Sequence, residues 1–496
     1  MNQLMHPDFP VWLRAAHWVN FLFLSFLVRS GLEILSTHPM LYWRDHARPG
    51  SEWVKFTRRV MPKKKMYTAL DEEEEWPSTV AMPGYANLGL GRKWHFLSVI
   101  GWILLGAVYI CLLFATGEYH RYIPSSWSIF PHAWHDIVTY LSLRLPPELP
   151  GQPFNALQKL TYASVIFLLA PFQIATGAAQ SPAIEGRFPR YVRMFGGRQG
   201  ARSLHFLSLL AFVLFAIGHV FLVIVEGKLP TMIQGSAHAS VTNAYLIAGG
   251  VVLGVILLHV IATKYSLRHK RRTQKILGFV VNNARRLLLH RLTSRQNYPD
   301  TAITPVHRVN GYPPSTDEYK IMAAHHFSDW KLEIGGMVEH PVTLSLDDLR
   351  AMRRRRQGIL HNCIQGWTSV ATWGGVPLQQ VIDLARPQRG AKYVLSHSYQ
   401  LVERDERNPK GTGHFYEVMD LSLARHDQTI LAYEMNGKPL PVEHGAPLRL
   451  RVETSVGFKM VKWIDRIELI DDYSRIGDGM GGWREDNMYY DKEGEI

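Results

Sequence analysis

Five stretches of this chain are long and apolar enough to cross a bilayer, at about residues 11–35, 96–115, 160–179, 204–225 and 243–263. A spanning helix needs about 20 mainly apolar residues, and lipid admits only segments that satisfy their own backbone polar groups. Residues 1–265 are therefore expected to form an α-helical transmembrane bundle. From about residue 320 the pattern changes. "DWKLEIGGMV", "AKYVLSHS", "APLRLRVET" and "VKWIDRIELID" are short alternating runs broken by glycine and proline, which indicates strands with mixed helices. A β-rich α+β domain is expected over 320–496. Between the two, 266–319 contains "ILGFVVNNARRLLLHRL" and reads as a basic amphipathic linker at the membrane surface.

The formal charge of +13 does not point to nucleic acid, because Lys and Arg cluster beside the apolar runs, where they set topology and meet anionic lipid. With five spans, the connections on the N-terminal side carry four basic residues and those on the other side twenty-one. The positive-inside rule then places the C-terminal domain in the cytoplasm of a bacterial inner-membrane protein. The N-terminus has no basic region ahead of its apolar stretch and no small-residue cleavage site, so that stretch is expected to be retained. "MPKKKM" (61–66) and "DEEEE" (71–75) read as a solvated charged loop. Of the two cysteines, Cys111 lies in an apolar run and Cys363 in the soluble part, which argues against a disulfide between them.

Histidine inside a membrane is costly without a partner. His205 and His219 are fourteen residues apart in one span, which on a helix is about 21 Å along the axis and roughly 40° around it. They face one way at two depths. His95 opens the second span from the same side as His205, and His17 lies at the depth of His219. Two pairs result, His95 with His205 and His17 with His219, and bis-imidazole haem is the economical ligand. No C-x-x-C-H occurs, so the haems would be b-type. His259 in the fifth span is a lower-ranked rival. "LRAAHWVNFLFLSFLVRSGLEI", "HPMLYW", "GRKWHF", "QKLTYASVIFLLAPFQIATGAAQSPA" and "RSLHFLSLLAFVLFAIGHV" together resemble the membrane di-haem cytochrome b family of hydrogenases, formate dehydrogenases and thiosulfate reductases. That resemblance implies two haems b and quinone or quinol as redox partner.

Cys363 stands in "HNCIQGWTSVATWGGVPLQQVI". With "LAYEMNGKPLPVEHGAPLRLRVETSVGFKMVKWIDRIEL" farther on, this stretch resembles the molybdopterin domain of the sulfite oxidase family. A thiolate is a soft, strongly donating ligand suited to molybdenum beside a pterin dithiolene. The resemblance makes Cys363 the protein's bond to the metal. It assigns His444, Arg449, Lys459 and Lys462 to binding of the pterin, with Asn310 of "HRVNGYPP" as an upstream contact. Sulfite oxidases follow the cysteine with a Gly-Asn-Arg-Arg type sequence that supplies positive charge, whereas here the sequence is "CIQGWT". The C-x-x-G-W form is closer to the methionine-sulfoxide-reductase branch, with Gln365 where that branch has Glu. "MRRRRQG" just upstream reads as a basic surface patch.

The expectation is a membrane-bound molybdenum oxidoreductase that couples quinol oxidation through b haems to oxygen removal from an S-oxide, N-oxide or oxyanion. Two alternatives stay open: a sulfite-type dehydrogenase delivering electrons to quinone, and a haem electron-transfer or sensing protein with a vestigial molybdopterin site. The sequence leaves the oligomeric state open.

Overall fold

The computed structural model describes residues 9–60, 66–235, 239–289, 296–402 and 413–492. Lys63, Lys64 and Lys65 of the charge count, and residues 290–295 of the linker, lie outside the described residues. The chain divides into two compact units that do not follow chain order. One holds Met1–Arg29, Trp94–Ala178 and Leu204–Tyr265, and the other Ser30–Lys93, Ala179–Ser203 and Ser266–Ile496.

The first unit is built on the apolar parts of five helices: α1 (Val11–Ser36), α2 (Leu88–Ala115), α3 (Ala156–Ala179), α4 (Gly197–Val225) and α5 (Val241–Arg268). At 24 to 29 residues each, and about 1.5 Å of rise per residue, all are long enough to cross a hydrocarbon core. α2 begins at Leu88 and α4 at Gly197, well before the apolar runs do. Arg92, Lys93, Arg198 and Arg202 interrupt hydropathy without interrupting the helical hydrogen-bond ladder. The bundle's inner contacts are specific. A side chain at Gly101 of α2 would collide with the ring of Phe23 on α1, so glycine sets that close approach. Trp102 Nε1 donates to Asn20 Oδ1 at 2.7 Å, which satisfies a polar pair that lipid could not. Cys111 faces outward and is a free thiol.

The second unit carries all the strands of the described residues. β1 (Met40–Leu41) and β2 (Val54–Lys55) form a short antiparallel ladder. The remaining strands are β3 (Lys331–Gly336), β4 (Val342–Ser345), β5 (Arg355–Asn362), β6 (Thr368–Pro377), β7 (Tyr393–Val402), β8 (Gly413–Asp420), β9 (Thr429–Met435), β10 (Lys438–Pro439), β11 (Arg449–Val452) and β12 (Ile464–Ile470). One sheet runs β10-β9-β6-β5 with β11 also paired to β9, and the other β4-β3-β12-β7-β8. All pairs are antiparallel except β12 with β3. Trp330, Trp373, Trp463, Leu332, Ile334 and Ile467 are among the buried side chains of its core. The basic helix α6 (Lys270–Leu289) follows α5. Its Gln274 donates to the backbone oxygens of Glu485 and Tyr490, so part of the expected linker is packed into this unit.

Candidate active site

Cys363 sits at the tip of the β5–β6 hairpin. The register pairs Asn362 with Thr368, and the turn between them closes by Cys363 N–H to Trp367 O at 3.1 Å and Gly366 N–H to Cys363 O at 3.2 Å. Gly366 has φ +118°, a conformation that glycine adopts without strain. A hairpin tip is normally exposed, yet Cys363 is fully buried, because two stretches from the N-terminal half close over it. Arg198, near the start of α4, donates to Cys363 O at 3.2 Å, and Gln199 Nε2 donates to Gly366 O at 2.7 Å. From the other stretch, Gln365 Nε2 reaches Ala69 O at 3.1 Å and Glu73 Oε1 at 2.6 Å. The thiol donates to Gln365 Oε1 at 3.3 Å. Burial pushes the Cys363 thiol up to about 11, against a lowering by the Gln365 backbone and the Arg198 and Arg484 charges.

Beside the turn lies a cavity of about 320 Å³ whose wall includes His307, Asn310, His361, His444, Arg449 and Lys462. The sulfur is not part of this wall, but Asn310 Nδ2, 3.8 Å from it, belongs to a wall residue. His307 packs against His361 at 5.4 Å and His444 at 5.3 Å between ring centroids. A side chain at Gly457 would collide with the His361 ring. Burial first, and then neighbouring cations, hold His307 and His361 well below the usual histidine range and His444 at about 3. Burial also lowers Arg449, beside Arg451, and Lys462, beside Arg449. Among the described residues neither Arg449 nor Lys462 is in an ion pair, and Arg449 Nε and Asn310 Oδ1 are buried without a hydrogen-bond partner. A wall of uncompensated cations and orphaned polar atoms suits a bound group that brings negative charge and hydrogen-bonding atoms. The residues present fit a pterin carrying a phosphate.

Of the residues singled out from sequence, Asn310, His444, Arg449 and Lys462 meet at the cavity, with Cys363 beside it. Lys459 does not line it. Its ammonium bonds Glu417 Oε2 at 2.8 Å, Val418 O, Gly481 O and Glu485, so two buried carboxylates already take its charge. The acidic run 71–75 is also not the solvated loop expected. Glu72 and Glu73 are buried, Glu72 pairs with Arg308 and His38, and Glu73 meets Gln365. His307, His361, Arg198 and Arg484 had not been singled out. His307 stands three residues before Asn310 and His361 two before Cys363, so proximity to the motifs was the available signal for both.

In the membrane unit, His17 of α1 and His219 of α4 meet at 5.8 Å between ring centroids. Tyr162 and Phe215 pack on His219. On His205, Nδ1 lies 3.1 Å from Gln173 O and 3.2 Å from Thr176 Oγ1. Its Nε2 lies 3.1 Å from Gln173 Nε2, so both ring nitrogens have a partner. His95 stands on α2 of the same unit. His259 likewise has both ring nitrogens engaged, by Ser25 and Arg29, each at 2.8 Å.

Comparisons with known proteins agree with this division. Residues 8–235 match the family described as prokaryotic cytochrome b561, and residues 319–476 match the oxidoreductase molybdopterin binding domain. The protein-methionine-sulfoxide reductase catalytic subunit MsrP of Campylobacter jejuni is 34% identical over 167 residues, which are 32% of this chain and 56% of the relative. The putative protein-methionine-sulfoxide reductase subunit YedZ1 of Azospira oryzae is 29% identical over 192 residues, 39% of this chain and 64% of the relative. The chain thus spans less than two thirds of the length of either. The crystal structure of the sulfane dehydrogenase SoxCD from Paracoccus pantotrophus is similar over 36% of this chain and 45% of that one, at 20% identity and a TM-score of 0.27. Within one chain, buried histidines stand in a segment similar to a prokaryotic b561-type cytochrome, and a closed thiol beside a cationic cavity stands in a segment similar to an oxidoreductase molybdopterin-binding domain.

Proposed function

We propose that the chain oxidises quinol in the membrane and removes oxygen from an S-oxide, N-oxide or oxyanion at a cytoplasmic molybdopterin site. For an S-oxide, one quinol gives up two electrons and two protons and becomes quinone, while the sulfur–oxygen bond breaks and the sulfoxide becomes a sulfide. The released oxygen takes up two protons and leaves as water. Two haems b would be held by His17 with His219 and by His95 with His205, and molybdenum by Cys363, with His444, Arg449, Lys462 and Asn310 on the pterin. When bound, these groups supply one-electron relay and two-electron oxygen-atom exchange.

The observation that carries this reading is the enclosure of Cys363, whose sulfur is fully buried next to a cavity with uncompensated cations. A thiol in that setting is a poor free nucleophile, but its thiolate is stabilised once a metal is present. The chain's own groups then have distinct tasks. Gln365 orients the sulfur, Arg198 and Gln199 fix the turn's carbonyls, and the buried wall keeps bulk water from the reacting atoms. The relatives named as methionine-sulfoxide reductases favour the reductive direction, and the asymmetry of basic residues favours the cytoplasmic side.

The test is steady-state turnover of the purified chain in lipid with a reduced quinol and a sulfoxide, against sulfite with an oxidised quinone. Sulfide formation with quinol supports the reading. Sulfite oxidation without sulfoxide reduction reverses its direction.

A further inference from the structure

The turn that carries Cys363 contains no charged residue, since Cys363, Ile364, Gln365, Gly366 and Trp367 are all neutral. A cation nevertheless reaches the neighbouring cavity from a part of the chain beyond the matched domain, which stops at residue 476. Arg484, on the short helix Trp483–Asn487, is part of the cavity wall.

The other basic wall residues are already engaged. Arg308 pairs with Glu72, and Arg59 pairs with Glu74 at 3.4 Å. Arg449 and Lys462 are assigned above to the pterin, and they donate to His444 O at 2.9 Å and to Glu443 O at 3.0 Å. Arg198, which is bonded to Cys363 O, is not in the wall. Its guanidinium is spent on backbone oxygens of Gln180 and Cys363.

Arg484 differs from Arg59 and Arg308 in having no ion pair among the described residues, and from Arg449 and Lys462 in standing outside the residues assigned to the pterin. Its side chain donates to Met488 Sδ at 2.6 Å, and its Nε is buried with no hydrogen-bond partner among the described residues. The two acids that follow it in sequence are committed elsewhere. Glu485 bonds Lys459, and Asp486 accepts from Tyr416 and from the backbone of Asp478 and Met480. An arginine left without a counter-charge among the described residues, on the wall of a small reaction cavity, is a ready anion anchor.

We infer that Arg484 binds a negatively charged group on the substrate, so that the oxygen donor is a small anion: an oxyanion, or a sulfoxide bearing a carboxylate. This rests on the cavity being the molybdopterin site proposed above. The space, about 320 Å³ and shared with the pterin, confines the donor to a small free molecule. Arg484 thereby supplies, from a distant segment, the charge that the sequence after Cys363 lacks.

The test uses the holoenzyme with three donors: chlorate, methylsulfinylacetate and neutral dimethyl sulfoxide. Arg484→Gln is expected to raise KM for the charged donors about tenfold or more, with kcat and the dimethyl sulfoxide KM little changed. Arg484→Lys should recover part of the loss. A response to chlorate alone identifies an oxyanion site, and a response to methylsulfinylacetate alone a carboxylate site. Molybdenum and pterin contents of Arg484→Gln should equal those of the wild type, and their loss would place Arg484 on the cofactor and overturn the inference. An equal rise for dimethyl sulfoxide, or no rise for either anion, overturns it too. In the wild type, inorganic sulfate should compete with the charged donor, and absence of competition counts against the anchor whether or not the variants fold. If the wild type reduces none of the donors but oxidises sulfite, the reductive reading fails. The anchor is then judged by whether Arg484→Gln raises KM for sulfite.

Discussion

Gln365 and Glu73 share a buried hydrogen bond, amide nitrogen to carboxylate oxygen at 2.6 Å. The two residues stand almost three hundred apart in the chain. Gln365→Glu would set two buried carboxylates face to face. We expect a loss of about 2–4 kcal/mol, largely restored in the double variant with Glu73→Gln, where donor and acceptor exchange places. Thermal unfolding of the four proteins of the cycle checks this. Additive losses would show that the pair is not coupled.

His219→Ala and His205→Ala should each remove one haem b of two, and a different one in each case. The rings of His17 and His219 meet directly, whereas His205 is held by Gln173 and Thr176. Haem quantitation and redox titration of both variants would decide it, and unchanged spectra in both would exclude the assignment.

Cys363→Ser should abolish turnover while both haems remain reducible by quinol. Oxygen is a harder and weaker donor than sulfur, so the metal's spectroscopic signature should change as well. Wild-type turnover in this variant would remove Cys363 from the mechanism.

Glu185 predicts a pH dependence. Burial, with Asp45 beside it, raises its carboxyl to about 8 from an ordinary 4.5, against lowering by Arg198 and Asn362. The folded state therefore holds a proton that the unfolded chain has released between those values. The stabilisation is complete below about pH 4.5 and is lost as pH rises toward 8. Glu185→Gln should flatten the fall in melting temperature over that interval. An unchanged slope would show that Glu185 titrates normally.

Orientation has its own test. Protease added to intact right-side-out cells should leave residues 320–496 uncut, as a cytoplasmic domain requires. Cleavage without lysis would reverse the topology.

Hydropathy made the five spans legible, and the Cys363 and His444 motifs made most of the cavity legible. Sequence failed where a residue's role depends on distant partners. Lys459 sits inside the motif and looked like its neighbours, but Glu417 and Glu485 take its charge. Glu72 and Glu73 looked solvated because nothing local announces Arg308 or Gln365. Arg484 has no motif around it, and its significance comes from the acids beside it being occupied elsewhere. The helices α2 and α4 extend beyond their apolar runs because Arg92 and Arg198 lower hydropathy while remaining in the helical ladder.

The unit that encloses Cys363 is assembled from three separate stretches, 30–93, 179–203 and 266–496, and this imposes an order on its synthesis. At about 5–20 residues per second, the ribosome needs roughly 15–50 s to travel from Lys93 to Cys363. Glu73, made before that interval, and Arg198 and Gln199, made within it, wait for Gln365, Cys363 and Gly366. Dividing the gene after residue 265 would therefore not yield a cytochrome and an enzyme. It would leave the first product with unmatched polar groups and the second with an uncovered thiol.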